Sequence, residues 1–108
     1  MATQYIVFCG SKEPYIRERN SDELDRASTI RQLAEGQFDV PSKIVEYDLE
    51  SGKCRDVTTE LAAEVAGQWA EDGEPLSDWR REFVELSLGV AVANEFSRSM
   101  SFNHARGF

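Results

Sequence analysis

The chain has 108 residues, of which 41% are hydrophobic and 30% charged, and a formal net charge of −8. That balance describes one globular domain with a modest core and excludes a disordered polyelectrolyte. The excess of acid also disfavours direct binding to a nucleic acid backbone, and no stretch approaches the roughly 18 to 20 apolar residues that span a bilayer.

The opening MATQYIVFCGSKE has neither the basic start nor the long apolar run of a secretory leader, so the expected location is the cytoplasm. Residues 5–9, YIVFC, are rich in strand formers and end at Gly10. After the turn-like SKEP, residues 15–19 (YIRER) read as the second arm of a hairpin and as an edge strand. Asn20 or Ser21 then offers a helix cap, with Asp22 and Glu23 suited to the first turn. Leu24, Ala27, Ile30, Leu33 and Ala34 follow at helical spacing, and Gly36 ends the run.

Pro41 opens a second extended segment, in which Val45, Tyr47 and Leu49 alternate with Ile44, Glu46 and Asp48. The pattern predicts a half-buried strand. ESGK supplies a turn before KCRDV, which predicts a second hairpin. Asp56 or Thr58 can cap the next helix, whose apolar face is Leu61, Ala62, Val65, Ala66 and Trp69 beneath a charged roof of Glu60, Glu64 and Glu71. Trp69 and Trp79 bracket the acidic loop AEDGEPLSD and are expected to pin two helices together.

A third helix is predicted from Ser77 through FVELSLGVAVANEF. At 100° per residue Trp79, Phe83, Leu86, Val90 and Ala93 form one stripe, and Val84, Leu88, Ala91 and Val92 form another roughly opposite. A helix apolar on two sides is either central in its fold or part of an interface. The fold expected is therefore α+β with the order ββαββαα: a small antiparallel sheet of two hairpins packed against helices, the third of them apolar. It occupies residues 1–97 as a single domain, with 98–108 a flexible, mildly basic tail.

Candidate chemistry is sparse. The only histidine, His104, lies in the Ser/Asn/Gly-rich tail, where nothing would fix its tautomer, so His-based catalysis is not expected. Cys9 and Cys54 lack metal-ligand spacing and read as free thiols. Acid pairs such as Asp22 with Asp25, or Glu60 with Glu64, look solvated, whereas hydrolytic pairs need burial that raises one pKa. The loop AEDGEPLSD lacks calcium-loop spacing, and FCGSKEP lacks the first glycine of a phosphate loop. No enzyme activity, metal or cofactor is expected.

The charge is concentrated. Asp56, Glu60, Glu64, Glu71, Asp72, Glu74 and Asp78 fall in a stretch without Lys or Arg, which accounts for seven of the eight net negative charges. Such a surface favours a basic protein partner. Arg55, at the strand-to-helix junction, is a candidate interface anchor.

The positions Gly36, Gln37, Phe38, Pro41, Gly52, Arg55, Asp56, Val57 and Thr58 carry a resemblance over about residues 5 to 66. The segment resembles short bacterial proteins without an established activity that read Gly-Gln-aromatic, Pro, a strand, then Gly, two residues, Arg-Asp-Val-Ser/Thr and a helix. The resemblance implies a ββαββα arrangement. This chain departs from it at Lys53, where an aromatic is usual, and by adding the third helix.

Two functions are expected from these features. The first is a non-enzymatic interaction module or regulator that forms a homodimer through Val84, Leu88, Ala91 and Val92 of the third helix. The alternative is an inhibitor of phage or mobile-element type, whose acidic surface imitates nucleic acid and blocks a nucleic-acid-binding protein, as in host-defence or anti-CRISPR systems.

Overall fold

A computed structural model describes residues 3–10, 12–73 and 75–95. The chain runs β1 (Thr3–Cys9), β2 (Tyr15–Ile16), a 3-10 turn (Ser21–Glu23), α1 (Arg26–Ala34), β3 (Pro41–Asp48), β4 (Cys54–Asp56), α2 (Thr58–Asp72) and α3 (Asp78–Leu88). The strands form one antiparallel sheet in the order β2-β1-β3-β4. The class is α+β: a small four-stranded antiparallel sheet with helices on one face.

The sheet is centred on the long β1–β3 pair. Tyr5, Val7 and Cys9 of β1 and Ile44 of β3 point to the helices and are buried. A bulge between Phe8 and Cys9, opposite Ser42, brings Pro41 into line with Cys9. Ser42 Oγ donates to the Phe8 carbonyl there, which satisfies an acceptor that the irregular ladder leaves over. The inward face of β3 is thus the Ile44 side. Val45 and Tyr47 lie on the opposite face and Leu49 is exposed. Register decides this, because Val7 pairs with Ile44 and the helices lie over Val7,.

β2 is shorter than the predicted 15–19 segment. Its ladder stops at Ile16, although the Arg17 amide still donates to the Val7 carbonyl. Beyond that, Arg19 turns its side chain inward to take the place of a strand. Its guanidinium donates to the carbonyl of Tyr5, and to Glu23 O, Thr29 Oγ1 and Gln32 Oε1.

The first helix also starts later than predicted. The Leu24 carbonyl accepts from the Tyr5 amide at 2.8 Å, which holds Leu24 at the sheet edge instead of in a helix. Asn20 makes no side-chain cap, and Asp25 caps α1 by accepting from the Ser28 amide at 3.0 Å. At the β3–β4 turn Gly52 adopts φ 75°, a left-handed conformation open to glycine at little cost. Its amide returns to the Asp48 carbonyl.

The start of α2 is organised by both predicted residues. Asp56 Oδ1 accepts from the Thr58 amide at 2.9 Å and from Thr58 Oγ1 at 2.6 Å, while the Ile44 amide donates to Thr58 Oγ1. Leu61, Ala62, Val65, Ala66 and Trp69 form its buried stripe, as the spacing predicts. The two tryptophans join the helices to the end of α1 and to the segment after it. Trp69 Nε1 donates to the Ala34 carbonyl and Trp79 Nε1 to the Phe38 carbonyl, and both rings pack with Phe83.

The third helix is not continuous. Ser77 caps it, but it ends at Leu88, and Gly89 breaks it at φ 103°, ψ 157° before helical geometry resumes over residues 90–95. Phe83, Val84 and Ala93 enter the core.

Candidate interaction surfaces

The α3 region splits the residues predicted as an apolar interface. Val84 is fully buried and belongs to the core, and Leu88 is partly buried against it. Val84 is therefore removed from any docking surface in this conformation. Ala91 and Val92 remain exposed. Two residues assigned by periodicity to the opposite stripe join them on the surface: Leu86 is 52% exposed and Val90 57%. Residues 86–92 carry no charge at all.

The acidic residues fall into two groups. Glu60 and Glu64 are held by arginines: Arg55 Nη1 donates to Glu60 Oε1 at 3.2 Å, and Arg26 Nη2 to Glu64 Oε2 at 2.5 Å. Asp56 is committed to Thr58, whose hydrogen bonds hold its carboxyl below the usual range. Glu71 and Asp72, at the C-terminal end of α2, and Asp78, at the start of α3, form no ion pair among the described residues. Glu74 lies outside the described residues, as do 98–108 and with them His104.

Arg55 is an internal anchor. It sits between Glu46 and Glu60, with Nη2 3.3 Å from Glu46 Oε2. Glu46 also accepts from Tyr5 Oη at 2.7 Å, so a polar chain Tyr5–Glu46–Arg55–Glu60 links β1, β3, β4 and α2. Burial, and then the bond to Glu46, push the Tyr5 hydroxyl up to about 12. The same bond, with Arg55 behind it, holds the Glu46 carboxyl below its ordinary value.

A further surface lay outside the sequence reading. The sheet face away from the helices carries Ile6, Phe8, Val45 and Tyr47, all partly exposed, with Ile16 beside them at 56% exposure. The signal for it was the unbroken apolar run YIVFC. A strand covered on one face only would normally alternate.

Concavities are shallow. One of about 500 Å³ lies between α1 and α2 over Ala27, Ile30 and Ala34, spanned by Arg26 and Glu64. Another of about 590 Å³ is lined by Asp56, Thr58, Thr59, Glu60, Leu86 and Ser87. Among the described residues no group of three or more His, Cys, Asp or Glu gathers around a point that could hold a metal ion, and no helix is long and apolar enough to cross a membrane. Cys9 and Cys54 are free thiols, the first buried and the second exposed.

No protein-family model matches this chain, and no curated protein or solved structure is significantly similar to it. The functional reading rests on the surfaces themselves.

Proposed function

We propose that this chain is a non-enzymatic interaction module of the cytoplasm that pairs with a second copy of itself through Leu86, Val90, Ala91 and Val92. One observation carries the reading. Of six large hydrophobic side chains exposed among the described residues, three (Leu86, Val90 and Val92) fall within seven consecutive positions. Exposed apolar side chains gathered in one uncharged segment mark a candidate association surface. The choice of a second copy follows from charge: two chains of net −8 repel, and an uncharged stretch is where they approach with least opposition. Free thiols accord with a reducing compartment.

The test is solution mass at low micromolar concentration, with Leu86→Glu and Val90→Glu beside the parent. A parent dimer that both substitutions convert to monomer supports the reading, and a parent that is monomeric throughout overturns it.

A second reading has its own support in Glu71, Asp72 and Asp78, which form no ion pair among the described residues. In it, this acidic end imitates a nucleic acid backbone and occupies the basic groove of a nucleic-acid-binding protein. Binding to such a partner would weaken steeply with salt and with Glu71→Gln and Asp72→Asn. Affinity indifferent to both would exclude it.

A further inference from the structure

Gly89 holds φ 103° and ψ 157°, a backbone region essentially confined to glycine. Nothing lies within 4 Å of where a Cβ would stand. The position therefore requires glycine for its backbone and not for close packing. Helical hydrogen bonding continues on both sides of the break: the Gly89 amide reaches the Val84 and Glu85 carbonyls, and the Gly89 carbonyl accepts from the Ala93 amide.

Two contacts exist only because the chain folds back here. Arg81 Nη2 donates to Asn94 Oδ1 at 2.5 Å. In an unbroken helix these residues would stand about 20 Å apart along the axis, at 1.5 Å rise per residue, too far for any side chain contact. Ala93, fully buried, completes the same core as Phe83 and Val84. Yet the sequence across the break contains no proline and keeps helical periodicity. Phe83, Leu86, Val90 and Ala93 would share one arc of about 80° on a continuous helix.

We propose that Gly89 is a hinge between two states of this segment, and that the fold-back of residues 90–95 is an autoinhibitory contact. In the folded-back state Ala93 is withheld in the core and Asn94 is latched to Arg81. In the extended state residues 78–95 form one helix, in which Leu86 and Val90 of the docking surface line up with Ala93 as one stripe while Ala91 and Val92 turn to the other side. A second copy that binds the extended stripe better than the split one draws the chain into that state by the difference in affinity. This regulatory role rests on the docking reading above, whereas the hinge itself does not.

Paired spin labels at Glu82→Cys and Glu95→Cys, both exposed sites, in a Cys54→Ser background, read the distance within one chain at concentrations too dilute for self-association. The parent is expected to give a short distance. Gly89→Ala removes the glycine-only conformation and favours helix, so a population near 20 Å should appear, with stronger helical circular dichroism. Asn94→Ala releases the latch without touching the backbone at 89 and should shift the distribution the same way. Short distances unchanged in both variants overturn the hinge, whatever the solution mass. A lengthened distance in a chain that stays monomeric at all concentrations upholds the hinge and overturns the docking role.

Discussion

The guanidinium of Arg19 donates to the main-chain carbonyl of Tyr5, so a side chain seals the part of the β1 edge that the two-residue strand β2 leaves uncovered. The same group accounts for Thr29 Oγ1 and Gln32 Oε1 on α1 and lies 5.6 Å from the Phe38 ring centroid. One cation thus ties the sheet edge, the first helix and the loop after it. Thr29 and Gln32 are buried polar residues on the core side of α1, and a buried acceptor without a donor costs about 1 to 3 kcal/mol. Arg19→Ala should therefore destabilise the fold by about 3 kcal/mol in denaturant unfolding. Arg19→Lys should recover less than half of that, because an ammonium cannot reproduce the planar fork.

Trp69 and Trp79 both donate an indole N–H to a carbonyl, but their burial differs. Trp69 is nearly inaccessible and its ring packs with Trp79 and Phe83, whereas Trp79 is partly exposed. Trp69→Ala should cost about 3 to 5 kcal/mol, as large buried aromatics do. Trp79→Phe keeps most of the ring packing and loses the bond to the Phe38 carbonyl, so it should cost about 1 kcal/mol. Thermal unfolding of the two variants should separate clearly, and equal losses would mean that the aromatic cluster acts otherwise than through burial.

The Tyr5–Glu46 bond gives stability a pH dependence at both ends. Glu46 has a depressed folded pKa. Its contribution is present above the unfolded carboxylate pKa and is lost as pH falls through the folded value. Asp25, Asp48 and Asp56 are depressed by their own hydrogen bonds and act in the same direction. At the alkaline end the Tyr5 hydroxyl, pushed up to about 12, stays protonated in the fold while the unfolded chain ionises near its ordinary value of about 10. Stability from this group is full below that value and declines as pH rises toward 12. Tyr5→Phe should flatten the alkaline limb of a melting-temperature profile, and Glu46→Gln the acid limb.

Much of this arrangement was legible in the sequence. The buried stripe of α2 follows from spacing alone, because Leu61, Val65 and Trp69 recur where a helix returns to the same side,. The same rule misread α3, since periodicity assumes an unbroken helix and one glycine redirects everything beyond it. Val84 and Ala93, assigned to opposite stripes, meet in one core. The start of α1 was hidden for a different reason: Leu24 fits a helical pattern, yet its carbonyl is taken by the Tyr5 amide, a contact between segments nineteen positions apart that no local rule contains. Arg19 was invisible likewise, a charge in an edge strand whose partners lie on another element.

The inward face of β3 was left open by the sequence, and it can be tested directly. Alternation alone cannot say which of two faces is buried when one carries Val45, Tyr47 and Leu49 and the other Ile44, Glu46 and Asp48. Counting apolar residues selects the first. Pairing selects the second, because Ile44 stands opposite Val7 beneath the helices, and Glu46 is tolerated on that face by Tyr5 and Arg55. Ile44→Ala should therefore cost about 2 to 5 kcal/mol, as a truncation in a packed core does. Val45→Ala, on the face that no described helix covers, should cost about 1 kcal/mol or less,. Urea unfolding of the two single variants measures both. A larger loss at Val45 than at Ile44 would show that the open face is covered in solution, and would move the search for a partner from α3 to the sheet.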